Sequence, residues 1–219
     1  MRDIKISIGE HYHVFNRGVH KQTVFHDSGD YHRFLFLILY FQSPSNFPQV
    51  GRSVQEFVKH RVLDNEADIV KNRMVELVSF CIMPNHFHLI LKEVEEGGIS
   101  AYMQRVLNAY SKYYNTKYEK SGHVFQGPYR FVHIDNNEQL LHLSAYIHRN
   151  PRELSKWVNR EDQYQWSSYF DLVSDNRWEG LLVFSIILEQ FKSKEKYREF
   201  VKTSTAKVLN EELLYLENF

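Results

Sequence analysis

Two short runs of this 219-residue chain carry side chains whose types and spacing suit metal binding and nucleophilic chemistry. The first is Pro84-Asn85-His86-Phe87-His88-Leu89, where two histidines flank one apolar residue. In an extended strand, residues i and i+2 share a face, about 6.5–7 Å apart along the chain. His86 and His88 would then present paired imidazoles, with Phe87 turned the other way into a core. Convergent imidazoles suit a divalent ion; an isolated pair of this kind also fits a solvated sheet face. The second run is Tyr146-Ile147-His148-Arg149-Asn150-Pro151. On a helix, Tyr146 and Asn150 are four apart and share a face. A carboxamide can add a hard oxygen to a metal site, and a phenol beside that metal can be a nucleophile. The alternative for this pair is a packed tyrosine and a helix-ending asparagine.

These residues need elements to hold them. His11 to Asn16 reads as a strand ending in a turn at Arg17-Gly18. Tyr31 to Phe41 reads as a mostly buried helix. Ser43 to Gly51 is a loop, and Ser53 followed by Glu56 has capping-box spacing for a short helix to Asp64. The region 42–74 looks like an insertion between core elements. Val75 to Met83 and His86 to Glu93 read as strands around a Pro84-Asn85 break. Ile99 to Tyr118 has helical apolar spacing, with Ser100 as its expected cap. Phe131 to Ile134 is a final strand, and Glu138 to Arg149 is a helix stopped at Pro151. Leu181 to Tyr197 and Lys207 to Glu217 are expected helices. The core order is βαββαβ, which predicts an α+β, ferredoxin-like fold: a four-stranded antiparallel sheet with helices on one face. The helix of Tyr146 and a helical C-terminal extension are added to it.

Composition narrows the function classes. Apolar residues make up 43% and charged residues 25%, so disorder is excluded as the default. The 27 basic residues balance 27 acidic ones, which argues against coating nucleic acid by bulk charge. Charge is nevertheless segregated: between Ile99 and Arg160, nine Lys/Arg stand against four Asp/Glu. The single cysteine, Cys81, excludes an internal disulfide and a multi-cysteine zinc site. The start at Met1-Arg2-Asp3 has no signal-peptide core. The longest apolar runs, Phe34 to Phe41 and Leu181 to Leu188, are too short to span a bilayer. A cytoplasmic protein without membrane contact is expected.

Taken together, the motifs resemble the HUH, or Y1, tyrosine transposases of the IS200-like superfamily, most closely the REP-associated tyrosine transposases. The resemblance rests on five segments in the family's order: His13–Gly18 (HVFNRG), Met83–Leu89 (MPNHFHL), Asn115–Tyr118 with Gly122–Gly127, Tyr146–Pro151 (YIHRNP), and Trp166–Tyr169 (WSSY). It covers roughly residues 11 to 170. It implies a catalytic domain over 1–170, an extension over 171–219, Tyr146 as catalytic nucleophile, and His86, His88 and Asn150 as metal ligands. It implies Mg²⁺ or Mn²⁺, cleavage and strand transfer of single-stranded or hairpin DNA through a 5′-phosphotyrosine link, and either a monomer or a homodimer. Arg17, Lys112, Lys117, Lys120 and Arg130 are candidate phosphate contacts, and His123 and Tyr129 candidate base contacts. Pro128 stands where relatives often carry a basic residue, which weakens one DNA contact. Tyr110, Tyr113, Tyr114 and Tyr118 form a rival tyrosine cluster, but none has a counterpart of Asn150 four residues on. Two readings compete with this one: a non-catalytic single-strand-binding module, and a metal phosphodiesterase that uses water with Tyr146 structural.

Overall fold

The computed structural model describes residues 5–46, 49–60 and 66–204. The sheet comprises β1 (His11–Arg17), β2 (Val75–Met83), β3 (His86–Glu93) and β4 (Arg130–His133), in the order β2-β3-β1-β4. Every adjacent pair is antiparallel. This is the expected ferredoxin-like order. Alternation along β3 sends Phe87, Leu89 and Leu91 to one face and His86 and His88 to the other. The first face packs on α1 (Ser28–Tyr40) and α4 (Gly98–Lys117), with Phe87 and Phe34 rings 4.8 Å apart. The second face meets α5 (Asn137–Arg149), so the histidines look toward the helix that carries Tyr146.

Local chemistry fixes where the helices begin. Asp27 caps α1: its carboxylate accepts from the Asp30 N–H at 3.1 Å, and Asp30 reciprocates toward the Asp27 N–H. Ser100 does not cap α4. The Glu93 carboxylate does, accepting from the N–H groups of Gly98 and Ile99 at 3.0 and 2.7 Å. A carboxylate at a helix N-terminus satisfies free donors and opposes the positive end of the dipole. Gly98 is required there, because a Cβ would sit 2.2 Å from the Met74 carbonyl oxygen. Asn136 caps α5 through the Gln139 N–H at 2.9 Å, and the helix gives way to a 3-10 turn at Asn150-Pro151.

Among the described residues, the 42–74 region holds two helices, α2 (Val50–His60) and α3 (Glu66–Lys71). The second forms in a mostly polar stretch, with Ile69 as its buried anchor. The expected helix over Leu181 to Tyr197 is broken. Val183 donates its N–H to the Leu77 carbonyl of β2 at 2.8 Å, which holds the backbone extended there. Past α6 (Ser168–Val173), a short α7 (Ser185–Leu188) follows, and Ser193 caps a fresh helix, α8 (Lys194–Thr203). The expected helix over Lys207 to Glu217 lies outside the described residues. The Ile82 N–H bonds the Trp166 carbonyl, so residues 166–168 and 183 cover the outer edge of β2.

The C-terminal elements brace α5 through a buried polar network. His148 Nδ1 lies 2.6 Å from the Tyr197 hydroxyl, and its Nε2 lies 3.0 and 2.9 Å from the hydroxyls of Ser79 and Ser168. Tyr197 also donates to Ser144 at 3.0 Å. One histidine thus ties α5 to β2, α6 and α8. Among the described residues, no helix is long and apolar enough to cross a membrane.

Candidate active site

The two-residue turn Pro84-Asn85 sets Met83 opposite His86 and brings β3 back along β2. His86 and His88 end up almost buried, at 8% and 5% exposure, yet on the face that meets α5. From α5, the Tyr146 ring packs edge-on against His88, with centroids 5.6 Å apart and planes at 80°. One turn later, Asn150 Oδ1 lies 3.1 Å from His86 Nε2. The strand pair and the helix pair therefore meet.

The hydrogen bonds around His86 bear on what this site can hold. Its Nδ1 is 2.6 Å from the Asn85 side-chain oxygen, and its Nε2 faces the Asn150 oxygen. Both amides are oriented by their own nitrogens: Asn85 Nδ2 donates to the Lys21 carbonyl and Asn150 Nδ2 to the Tyr146 carbonyl. Burial lowers the His86 pKa to about 4, despite an opposing contribution from Asn150, so the ring is neutral near pH 7. A neutral imidazole has one N–H for two facing oxygens. With Nδ1–H given to Asn85, a nitrogen lone pair confronts the Asn150 oxygen. A shared cation removes that conflict, and 3.1 Å is about the separation of neighbouring ligands around an octahedral ion with bonds of about 2.1 Å. The donor set therefore fits a divalent metal, although among the described residues no three His, Cys, Asp or Glu side chains form a metal-binding group.

His88 has a partner that sequence reading did not assign. Its Nδ1 is 2.9 Å from Nε2 of His13 on the neighbouring β1, and the rings stack at 5.1 Å. Burial drives the His88 pKa well below its ordinary value, and that of His13 to about 3. A proton on His88 Nδ1, donated to His13, leaves Nε2 as the ligating lone pair; such partners fix tautomer and ring orientation. His13 Nδ1 is buried with no hydrogen-bond partner. The only sequence signal for His13 was its place in the HVFNRG segment, because a cross-strand contact 75 residues away has no local pattern.

Charge at the site comes from Arg17, which ends β1 directly opposite His86. Its positive charge contributes to lowering the pKa of both His86 and His88, and its Nε is buried without a hydrogen-bond partner. A cavity of about 190 Å³ lies beside Tyr146 and Asn150 and is also lined by Glu153. Desolvation raises the Glu153 pKa, with Arg17 opposing.

The other expected contacts disperse. Lys117 is held by Asp27 and Asp30, both at 2.7 Å, among Tyr113 and Tyr118 on the opposite side of the sheet. Lys120 lies over the Tyr114 ring, 5.5 Å from its centroid. Lys112 and Arg130 are exposed, and His123 and Tyr129 line a second cavity against α4. The rival tyrosines are structural: Tyr110 donates to the Val24 carbonyl, and Tyr114 is buried beside His26.

The fold and the site define an α+β protein whose ferredoxin-like sheet sets a histidine pair against a tyrosine helix. Residues 51–150 match the family model described as "Transposase IS200 like". A solved structure described as "Structure of the REP associates tyrosine transposase bound to a REP hairpin" shares the fold, with a TM-score of 0.52 at 14% identity. The match covers 84% of this chain and 90% of that one. No curated protein matches the sequence. The family read from the motifs is also the one whose model matches residues 51–150, just under half of the chain.

Proposed function

We propose that this protein is a transposase of the IS200-like family that cleaves and rejoins single-stranded DNA beside a hairpin, with Tyr146 as nucleophile. The observation that carries the reading is the meeting of Tyr146 with His88 and of Asn150 with His86, within one chain. His86, His88 and Asn150 would hold Mg²⁺ or Mn²⁺. When bound, that ion supplies Lewis-acid polarisation of a phosphoryl oxygen.

The remaining work falls to the chain. Arg17 supplies positive charge for the scissile phosphate from the end of β1, directly opposite His86. The Tyr146 oxygen attacks phosphorus and the bond to the 3′-oxygen breaks; that oxygen takes a proton from solvent water, leaving a 5′-phosphotyrosine and a 3′-hydroxyl. The link conserves the bond energy for later strand transfer. A phenol with an ordinary pKa near 10 is about one part in a thousand ionised at pH 7, so a proton acceptor is needed. Glu153, in the cavity beside Tyr146, takes that role; its raised pKa makes it a stronger base than an ordinary carboxylate. The DNA would reach the site past Arg17, with Lys112 and Arg130 on its phosphates. Residues 1–170 act as the catalytic unit, and 171–219 as an extension whose α8 braces α5 through His148.

The test mixes the full chain with labelled hairpin oligonucleotides carrying single-stranded flanks, in Mn²⁺, followed by a denaturing gel. A band shifted by the mass of the protein is expected, absent in Tyr146→Phe and with EDTA. Cleavage that persists in Tyr146→Phe would instead identify a hydrolase that uses water, and binding without cleavage a non-catalytic module.

A further inference from the structure

On the face of the sheet opposite Tyr146, a cavity of about 760 Å³ opens between α4 and the loop of residues 122–129. One wall is a polar stripe of α4, with Ser100, Gln104, Asn108 and Ser111 at helical spacing. The opposite wall carries His123 and Tyr129, and Phe125 lies beneath. Its lining contains no Lys, Arg, Asp or Glu among the described residues.

The cavity is preformed. Asn115 Nδ2 tacks the loop to α4 through the Gly122 carbonyl at 3.0 Å, and the Tyr129 and Ser100 hydroxyls close the far end at 3.1 Å. Gly122 and Gly127 supply the positive φ angles, +91° and +71°, that the loop's two turns need. The loop is also joined to the active-site strand. The Gln126 N–H bonds the Arg17 carbonyl at 2.8 Å, and Asn16 Nδ2 bonds the Gly127 carbonyl at 3.2 Å. These two bonds hold the loop in a fixed position relative to the strand that carries Arg17.

We infer that this cavity is a binding site for one unpaired nucleobase of the DNA strand, separate from the cleavage site. The inference rests on the proposed function. A lining without charge suits a flat neutral ring rather than a phosphate. Neighbouring carboxamides offer the donor and acceptor pair that matches a purine edge, and His123 and Tyr129 offer stacking planes. Charge lies at the margin, where Lys112 follows Asn108 by one turn and Arg130 follows Tyr129. That places cations for the flanking phosphates and uncharged groups for the base.

The test uses the full chain carrying Tyr146→Phe, which keeps the DNA intact. Hairpins with a randomised five-nucleotide single-stranded flank are selected for binding, and each flank base of the winner is then replaced by an abasic site. One replacement is expected to weaken binding about ten-fold or more. That penalty should vanish when Gln104→Ala and Asn108→Ala are added, and again when Ala101→Trp fills the cavity. Penalties that stay undiminished in both backgrounds at every flank position overturn the inference while leaving the proposed function standing. Failure of the unmodified chain to bind any hairpin overturns the proposed function, and this inference with it.

Discussion

The Tyr146 ring stands edge-on to His88 at 5.6 Å, and one helical turn later Asn150 reaches His86 at 3.1 Å. A single turn of α5 therefore addresses both histidines of β3. Removing the amide should break the donor set without moving the phenol. Asn150→Ala is expected to weaken Mn²⁺ binding by at least ten-fold, measured by titration calorimetry on the folded protein. Unchanged affinity would exclude Asn150 as a ligand.

His13 acts on His88 from behind. His13→Ala should lower Mn²⁺ affinity about 10- to 100-fold, the usual range for a lost partner of a ligating histidine. His13→Gln, which keeps an acceptor, should recover part of it. If Gln and Ala behave alike, the His13 contact serves packing rather than ligand orientation.

Buried histidines set the acid limit of the fold, His13 and His148 among them. Burial lowers the pKa of both His13 and His148 to about 3. Each is neutral when folded but takes up a proton near pH 6.5 when unfolded. Their contribution is complete above pH 6.5 and is lost as pH falls from there toward 3. At pH 5 each should cost about 2 kcal/mol relative to pH 7.5. Urea denaturation in EDTA at the two pH values measures their contribution together with that of His86 and His88, and His148→Gln should remove its own share of the pH dependence.

Lys117 belongs to stability rather than to DNA. Its ammonium faces the fully buried Asp30 carboxylate. Desolvation pushes the Asp30 pKa up, but hydrogen bonds from Lys117, Tyr118 and Tyr113 outweigh it and hold the pKa below its ordinary value. Lys117→Ala should destabilise the fold by about 3 kcal/mol, and hairpin affinity should stay within two-fold. A stable variant with weakened DNA binding would reverse that assignment.

What could be read from the sequence was what local periodicity encodes. His86 and His88 share a face because strands repeat every two residues, and Tyr146 and Asn150 because helices nearly repeat every four. The βαββαβ order then fixed the sheet. Features set by contacts distant in sequence were hidden. Glu93 rather than Ser100 caps α4 because the end of β3 lies against it. His13 meets His88 only through the β1–β3 register. The apolar run from Leu181 to Leu188 has the composition of a helix, yet Val183 is drawn extended onto β2. The charge of Lys117 suggested DNA until its two carboxylates came into view.

Mass spectrometry of the protein after reaction with a hairpin substrate, followed by nuclease and protease digestion, tests the central claim most directly. A nucleotide phosphate attached to the peptide containing Tyr146, and to no other tyrosine, is the predicted result. A phosphotyrosine found at Tyr114 or elsewhere, or cleaved DNA with no modified peptide, would contradict it.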